Sequence, residues 1–252
     1  MFGLTHLLYM LISGIIGAGI ILALFFLKND RLNHAAVKFF AIITVIIHYS
    51  SLWVEFFSEG SAMVDSVMLL PIYPCNVCMW LLVASAFLLD KKGPVSTIVK
   101  DFTFWGGVVC GTIGTVFNEN FGANPTLADY DVLKGMLSHS TMIFGCIILF
   151  TAGFVKIRVL RAVPAVVCGL LFFLVDGSII NGLYKAFDLG SCNSMYLQEA
   201  PFPAMPWLNT LTIGIAAVLV SFSVSAIFEL FALKKEDRWY CELKRKLSSI
   251  KK

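Results

Sequence analysis

Two cysteines and two prolines interrupt an otherwise apolar stretch, Leu69–Cys78. Each proline lacks an N–H donor and disturbs the carbonyl four residues earlier, so we expect a helix to open at Pro71 and to resume after Pro74. Cys75 directly follows Pro74 and is therefore predicted to lie at the N-terminus of the resumed helix. A helix N-terminus favours an anion, and the thiolate is the nucleophilic form of cysteine. Cys75 is thus a candidate nucleophile, although many buried cysteines are only small apolar fillers.

Cys75 and Cys78 also form a C-x-x-C pair, in which the two sulfurs can share one face of a helix and act as a redox couple. Cys192 could be the shuttle partner of that couple, or it could form a disulfide on the outer side of the membrane. The motif is weak by itself, because cysteine is common in membrane helices. The other cysteines are interpreted as scattered apolar fillers; they are Cys110, Cys146, Cys168 and Cys241.

Three ionisable residues, His48, His139 and Asp176, lie well inside apolar runs, where such residues are functional candidates. His139 is the preferred general base, because its predicted depth matches that of Cys75. His48 is explained equally well by a structural hydrogen bond to a neighbouring helix. Asp176 is explained equally well by pairing with a histidine. No two histidines have the spacing of zinc ligands, so we predict no metal site and no cofactor.

Membrane-spanning helices must position these residues, because 58% of the chain is hydrophobic and the mean hydropathy is +0.84. Apolar runs of about 20 residues recur, and each can cross a hydrocarbon core of roughly 30 Å. We therefore predict an all-α polytopic transmembrane bundle at 1–233 and a basic cytoplasmic tail at 234–252. The seven predicted spans are Leu7–Leu27, Ala35–Phe57, Val67–Leu89, Ile98–Phe117, Leu133–Phe154, Ala162–Tyr184 and Leu208–Leu233.

All Lys and Arg residues except Lys134 and Lys185 fall on one side of this arrangement. By the positive-inside rule the N-terminus lies outside and the C-terminus is cytoplasmic, in a multi-pass protein of the cell membrane. The polar candidates then fall in the outer half of the bundle. The basic tail carries aromatic residues and is predicted to lie on anionic lipids of the inner leaflet. We expect no nucleic-acid partner.

Several short motifs resemble those of the bacterial YwaF-like integral membrane proteins, in the same order along Leu69–Pro206. They are the P-x-x-x-C-[ND] start of a middle helix at Leu70–Asn76, an aromatic-glycine helix at Phe104–Gly107, an S-H-G span at Ser138–Ser140, and an N…N-Y-x-[YF]-L…P region at Asn181 and Cys192–Pro201. The chain departs from the family pattern at Ser140, where glycine is usual, and at Ser194, where tyrosine is usual.

The family is similar to the eukaryotic transmembrane protein 164, regarded as a cysteine-dependent acyltransferase of ether phospholipids. A more distant likeness is to the androgen-induced membrane hydrolases of fatty-acid esters. The resemblance implies that Cys75 accepts the acyl group, that His139 is its base, and that the partner is a membrane phospholipid or fatty-acyl lipid. Backbone N–H groups freed at 71–74 could help to stabilise an oxyanion. We infer substrate-binding or supporting roles for Asn76, His48, Asp176, Asn181, Asn193 and Tyr196.

The leading hypothesis is therefore a membrane acyltransferase or acyl-ester hydrolase with Cys75 and His139 in the outer half of the bundle. The alternative is a membrane thiol-disulfide oxidoreductase that uses Cys75 and Cys78, with a quinone as acceptor. A third interpretation is a transporter or ligand-binding bundle in which the broken helix forms the binding site. It ranks last, because such transporters usually carry a second broken helix related by an internal repeat.

Overall fold

The computed structural model describes residues 3–59, 70–118, 126–200, 206–207 and 209–250. All regular structure in these ranges is helical, which confirms the predicted all-α class. Short 3-10 turns occur at Ser194–Tyr196 and Lys235–Asp237. The α-helices are α1 Leu4–Leu27, α2 Asp30–His48, α3 Ser50–Glu59, α4 Pro74–Phe87, α5 Pro94–Val116, α6 Tyr130–Thr151, α7 Val159–Ala186, α8 Thr210–Ala232 and α9 Trp239–Ile250.

Five of these helices, α1, α2, α6, α7 and α8, are long and apolar enough to cross a membrane. Helix α4 is apolar but has only 14 residues, and the start of the predicted span Val67–Leu89 lies outside the described residues. Helix α5 has 23 residues but contains Lys100 and Asp101. The structure thus has the helices of a membrane protein, while the seven spans, the orientation and the division at residue 233 stay predictions.

The predicted span Ala35–Phe57 is divided into α2 and α3 at Tyr49. The Ser50 hydroxyl donates to the Ile47 carbonyl at 2.6 Å, and the Leu52 N–H donates to the Tyr49 carbonyl at 3.1 Å. A serine side chain competes in this way with the helical hydrogen bonds of its own backbone. The break makes His48 the last residue of α2.

Helix α4 begins as the prolines predict. Pro74 is in its first turn, and the preceding Tyr73 is extended, with φ −106° and ψ 151°. The carbonyls that follow its last residue, Phe87, are hydrogen-bonded by a lysine from α5. The Lys100 ammonium donates to the carbonyls of Leu88, Leu89 and Lys91 at 3.0, 3.3 and 3.1 Å. A cation at this end also complements the helix dipole.

The chain divides into two compact units, Met1–Val155 and Lys156–Lys252. In the first unit α6 is the central helix, because α1, α2, α4 and α5 all pack against it. In the most apolar 18-residue window of α6, 56% of the residues are buried inside the protein, compared with 6% in that of α1. Helix α6 therefore lies in the interior of this unit, whereas α1 lies at its edge.

The second unit is organised at one end by Glu229 of α8, whose side chain is only 1% exposed. Its carboxylate accepts from the Val159 N–H at 2.8 Å, from the Trp239 N–H at 2.5 Å and from Arg158 Nε at 3.2 Å. Arg158 also donates to Glu242 of α9 at 2.9 Å. A single buried carboxylate thus caps the N-termini of both α7 and α9.

Replacement of Glu229 by alanine should destabilise this unit, because it removes two caps and leaves the Arg158 guanidinium without a buried partner. We expect the free energy of unfolding to fall by about 3 kcal/mol. The measurement is the melting temperature of the detergent-purified chain, which should be lower. The control is Glu236→Ala, a change to an exposed carboxylate in the same region. Equal melting temperatures for the two variants would contradict the assignment.

Candidate functional site

Cys75 occupies the second position of α4 and is half-buried. Its thiol donates to the amide oxygen of Asn76 at 3.3 Å, and Asn76 is itself buried, with 4% exposure. The sulfur therefore lies at a helix N-terminus, where the helix dipole favours negative charge. Asn76 thus holds the Cys75 thiol, and its supporting role stays a prediction.

Backbone donors near Cys75 are already engaged. The Ile72 N–H donates to the Leu70 carbonyl at 2.8 Å, and the N–H groups of Asn76 and Val77 donate to the Tyr73 carbonyl at 3.0 and 3.3 Å. The prolines at 71 and 74 have no N–H. Of these three donors only Ile72 belongs to the stretch 71–74, and its N–H is already engaged. The oxyanion role of that stretch stays a prediction.

His139 lies in α6, and its Nδ1 is 2.7 Å from the Gly135 carbonyl. A carbonyl only accepts, so Nδ1 must carry the hydrogen and donate it. In the neutral ring the remaining lone pair is then on Nε2, which is the atom that can take a proton from a thiol or an alcohol. This single hydrogen bond sets the tautomer that a general base requires.

Gly114 of α5 makes room for the imidazole of His139. A Cβ at position 114 would overlap the Nε2, Cδ2 and Cε1 atoms of the ring. The reactive edge of His139 therefore rests against a bare stretch of α5, and this contact holds the ring in place. No motif in the sequence distinguishes Gly114 from the other small residues of α5, so its role was missed.

Contacts with α5 give the relative levels of Cys75 and His139 along the bundle. The Sγ of Cys78 is 3.9 Å from that of Cys110, and His139 lies beside Gly114, four residues further along α5. Four residues rise about 6 Å, and Cys75 precedes Cys78 by three residues, or about 4.5 Å, in the same direction. Cys75 and His139 thus lie within about 2 Å of one another in level.

His48 ends α2, and its Nε2 is buried with no hydrogen-bond partner within the described ranges. Its ring packs edge-to-face on Tyr49, with centroids 4.9 Å apart. His139 and Lys134 both lie in α6, the helix that packs against α2. A buried nitrogen without a partner is costly, and a ligand that pairs with it would be stabilised.

Lys134 of α6 is a buried cation that sequence reasoning missed. Its side chain is only 8% exposed, although the charge pattern marked it merely as one of two basic residues on the outer side. Its Nζ contacts the Asp131 carboxylate at 2.8 Å and lies 5.6 Å from the centre of the Tyr130 ring. The signal that could have found it was a lysine inside a predicted span.

Cys78 differs sharply from Cys75, because it is completely buried among other thiols. It contacts Cys110, and Cys146 of α6 packs against the neighbouring Gly107. Packing thus brings Cys110 and Cys146 to the same level as Cys78, and the interpretation of both as apolar fillers stays a prediction. All seven cysteines are free thiols, and no group of three or more His, Cys, Asp or Glu among the described residues is arranged to hold a metal.

The remaining candidates lie in the second unit, where two of them organise a loop. The Asn181 side chain accepts from the Ser194 N–H at 2.8 Å and donates to the Ser194 carbonyl at 3.3 Å. The Asn193 side chain accepts from the N–H groups of Gln198 and Glu199 at 3.0 and 3.2 Å and donates to the Glu199 carbonyl at 2.9 Å. Both amides therefore serve the loop backbone, which favours a supporting role.

Asp176 and Tyr196 have different environments. Asp176 lies midway along α7, and its buried Oδ2 has no partner in the part of the chain that the structure describes. Tyr196 is half-buried with a left-handed backbone, φ 52°, and Thr210 donates to its carbonyl at 3.0 Å. The eight candidates thus divide equally, with Cys75, Asn76, His48 and His139 in the first unit and Asp176, Asn181, Asn193 and Tyr196 in the second.

Substitution of Gly114 by alanine should displace the His139 ring, because the added methyl group overlaps it. Overpacking of this kind destabilises a core by about 1–3 kcal/mol, which a melting curve of the purified chain would record. Gly19→Ala is the matched control, since a Cβ at Gly19 meets no atom within 4 Å. A Gly114→Ala variant as stable as this control would refute the contact.

Comparison with known proteins gives a match to one family model and none to a curated protein or a solved structure. The model of the TMEM164 family matches residues 1–228, a range that includes all eight candidate residues. This match confirms the resemblance to transmembrane protein 164, while the bacterial YwaF-like grouping stays a prediction. Because the match covers most of the sequence, the chain belongs to the TMEM164 family.

Proposed function

We propose that the chain is an integral membrane enzyme that transfers or hydrolyses acyl groups of lipids, with Cys75 as nucleophile and His139 as base. The observation that carries the proposal is the hydrogen bond from His139 Nδ1 to Gly135, which leaves Nε2 as the basic atom. The half-buried Cys75 lies at a similar level in the same unit. A thiol with a nearby base is the usual arrangement for covalent acyl transfer.

In the proposed reaction His139 Nε2 takes the proton of the Cys75 thiol, and the thiolate attacks the carbonyl carbon of a lipid ester. A C–S bond forms, the C–O bond of the ester breaks, and the departing alcohol oxygen takes the proton back from the imidazolium. A second alcohol or water then gives its proton to His139 and attacks the thioester. The acyl group leaves on that oxygen, and the cysteine regains its proton.

Burial separates the two cysteines of the C-x-x-C pair. Cys75 is half-buried at a helix N-terminus, whereas Cys78 is fully buried and contacts Cys110. A buried thiol in apolar surroundings is a poor nucleophile. The acyl-transfer proposal therefore makes Cys78 dispensable, while the oxidoreductase alternative makes it as important as Cys75.

The proposed enzyme crosses the cell membrane seven times, with its N-terminus outside and its C-terminus in the cytoplasm. Helices α4 and α5 supply two crossings beside the five long apolar helices, and α2 with α3 forms one of the seven. The tail helix α9 supports binding to anionic inner-leaflet lipids. Its exposed apolar residues Tyr240, Leu243 and Leu247 recur at helical spacing, next to the basic run 244–246.

The native thiols Cys192 and Cys241 test the orientation. A membrane-impermeant maleimide on intact cells should label Cys192 and spare Cys241, which should react only after permeabilisation. Burial raises the pKa of the Cys192 thiol, so labelling should be carried out at mildly alkaline pH, where more thiolate is present. Peptide mass spectrometry reads the tags, with Cys192→Ser and Cys241→Ser as controls. Labelling of Cys241 in intact cells would overturn the orientation.

The catalytic assignment predicts that Cys75→Ala and His139→Ala each lose at least about 100-fold in acyl transfer. The measurement is release or exchange of a labelled acyl chain from phosphatidylcholine, with a lysophospholipid as acceptor and purified full-length chain in micelles. Wild type should also accumulate an acyl adduct on Cys75 that hydroxylamine removes, as seen by intact mass.

The matched controls are Cys78→Ala, in the same helix, and Cys168→Ala, an exposed thiol. Both should keep activity within about threefold of wild type, since neither contacts the reacting atoms. Full activity in Cys75→Ala or His139→Ala would contradict the proposal. Equal losses in Cys75→Ala and Cys78→Ala, together with a quinone-dependent disulfide, would establish the oxidoreductase instead.

A further inference from the structure

Helix α1 lies at the edge of the first unit, yet its first turns are bonded to two other helices. His6 is completely buried, and its Nε2 is 2.8 Å from the carbonyl oxygen of Thr115 in α5. The hydroxyl oxygens of Tyr9 and of Ser140 in α6 are 3.0 Å apart. The N-terminal part of α1 therefore joins the end of α5 to the middle of α6.

The bond from His6 meets a helix end. Thr115 is the penultimate residue of α5, so its carbonyl is one of the four at that end that have no partner within the helix. A carbonyl only accepts, so His6 Nε2 carries the hydrogen and donates it. Because Thr115 is itself buried, water is a poor substitute for this donor. His6 thus fastens the end of α5 to α1.

Tyr9 fastens α1 to α6 with both its ring and its hydroxyl. The ring packs against Val132 and Met136, which are completely buried, and the hydroxyl reaches Ser140. These three residues of α6 follow one another at intervals of four and therefore lie on one face of the helix. The side chain of Tyr9 thus lies along that face and ends at Ser140.

Both bonds lie next to the contact that holds the candidate base. Ser140 directly follows His139 in α6, and Thr115 directly follows Gly114 in α5. Gly114 is the residue that leaves room for the His139 ring, because a Cβ there would overlap it. Helix α1 is therefore bonded to α5 and to α6 one residue beyond the two positions that meet at the ring.

The separation of α5 and α6 decides how firmly this ring is held. At Gly111 the two helices touch directly, since a Cβ there would overlap the Ile143 side chain. At Gly114 the imidazole of His139 stands between them, and it keeps its place only while both helices stay in contact with it. A base displaced by about 1 Å loses much of its rate advantage. The bonds from α1 supply the constraint, because they join both helices at this level.

We propose that His6 and Tyr9 are positioning residues for His139, and that they hold α5 and α6 against its imidazole ring. The assignment rests on the proposed acyl-transfer function, which gives His139 its role as base. His6 and Tyr9 act through the helix spacing and take no part in proton transfer. Loss of either bond lets α5 move away from α6, so that the ring leaves the position from which Nε2 serves Cys75.

The test measures alkylation of Cys75 by iodoacetamide in the full-length chain in micelles, and peptide mass spectrometry separates Cys75 from the other thiols. At about pH 7 the reaction needs a base, so wild type should react faster than His139→Ala. At about pH 10 a thiol ionises without a base, and the two should agree. His6→Met and Tyr9→Phe should each lower the rate at about pH 7 roughly tenfold and keep the rate at about pH 10 within about twofold.

Acyl transfer from phosphatidylcholine gives a second measurement on the same variants. His6→Met and Tyr9→Phe should lower kcat about tenfold and leave KM within about twofold, because the base moves while the lipid site is unchanged. A general loosening of the fold would instead change Cys75 alkylation at both pH values. Tyr9→Phe keeps the ring on α6 and removes only the hydroxyl, so it tests the proposal even if His6→Met fails to fold.

Two further variants serve as controls. His6→Gln keeps an N–H donor near the position of Nε2 and should stay within about threefold of wild type. Ser13→Ala changes a hydroxyl of the same helix that donates to the Met10 carbonyl of α1 itself. It should leave kcat and both alkylation rates unchanged, because it removes no bond between helices.

Unchanged alkylation at about pH 7 in Tyr9→Phe, equal losses at the two pH values, or an equal loss in Ser13→Ala would each overturn the positioning role. If no lipid ester is turned over while alkylation of Cys75 depends on His139 and on both α1 residues, the acyl-transfer function fails and the positioning role stands. If His139→Ala abolishes acyl transfer while the two α1 variants are fully active, the acyl-transfer function stands and the positioning role fails.

Discussion

The polar side of α6 is the constraint on which the first unit depends. In hydrocarbon an unpaired hydroxyl or imidazole is costly, so each polar group on this central helix needs a partner from its own or a neighbouring helix. Ser140 contacts Tyr9 of α1 at 3.0 Å, Thr141 contacts Thr44 of α2, and His139 bonds its own backbone at Gly135. These contacts fix the faces of α1 and α2 that meet α6, and they also orient the candidate base.

The same physical requirement shapes the helix ends, where four carbonyls or four N–H groups lack partners. Lys100 satisfies carbonyls of the turn that directly follows α4, and Glu229 satisfies N–H groups at the starts of α7 and α9. Both side chains are almost fully buried, at 6% and 1% exposure. Both charged residues therefore act as internal hydrogen-bond partners at helix ends.

Position also decides what each cysteine can do. Cys75 combines partial exposure with a helix N-terminus, whereas Cys78 lies within a group of thiols that includes Cys110 and Cys146. The chemistry proposed here needs a thiol that a lipid ester can reach and a base whose lone pair is defined. Within the first unit, Cys75 lies at a level similar to that of His139, and the buried Lys134 adds a positive charge about one and a half turns before His139 in α6.

The amino-acid sequence by itself determined the helical membrane class, the family and the helix start at Pro74, because hydropathy, proline chemistry and ordered motifs act locally. It also singled out His139 and Cys75. Only the tertiary structure decided the break at Tyr49, the tautomer-setting bond of His139, the burial of Lys134 and the gathering of three thiols. The contacts between Ser50 and Tyr130 and between Thr44 and Thr141 join residues 80 and 97 positions apart. Which faces of distant helices meet is set by packing, and no local pattern encodes it.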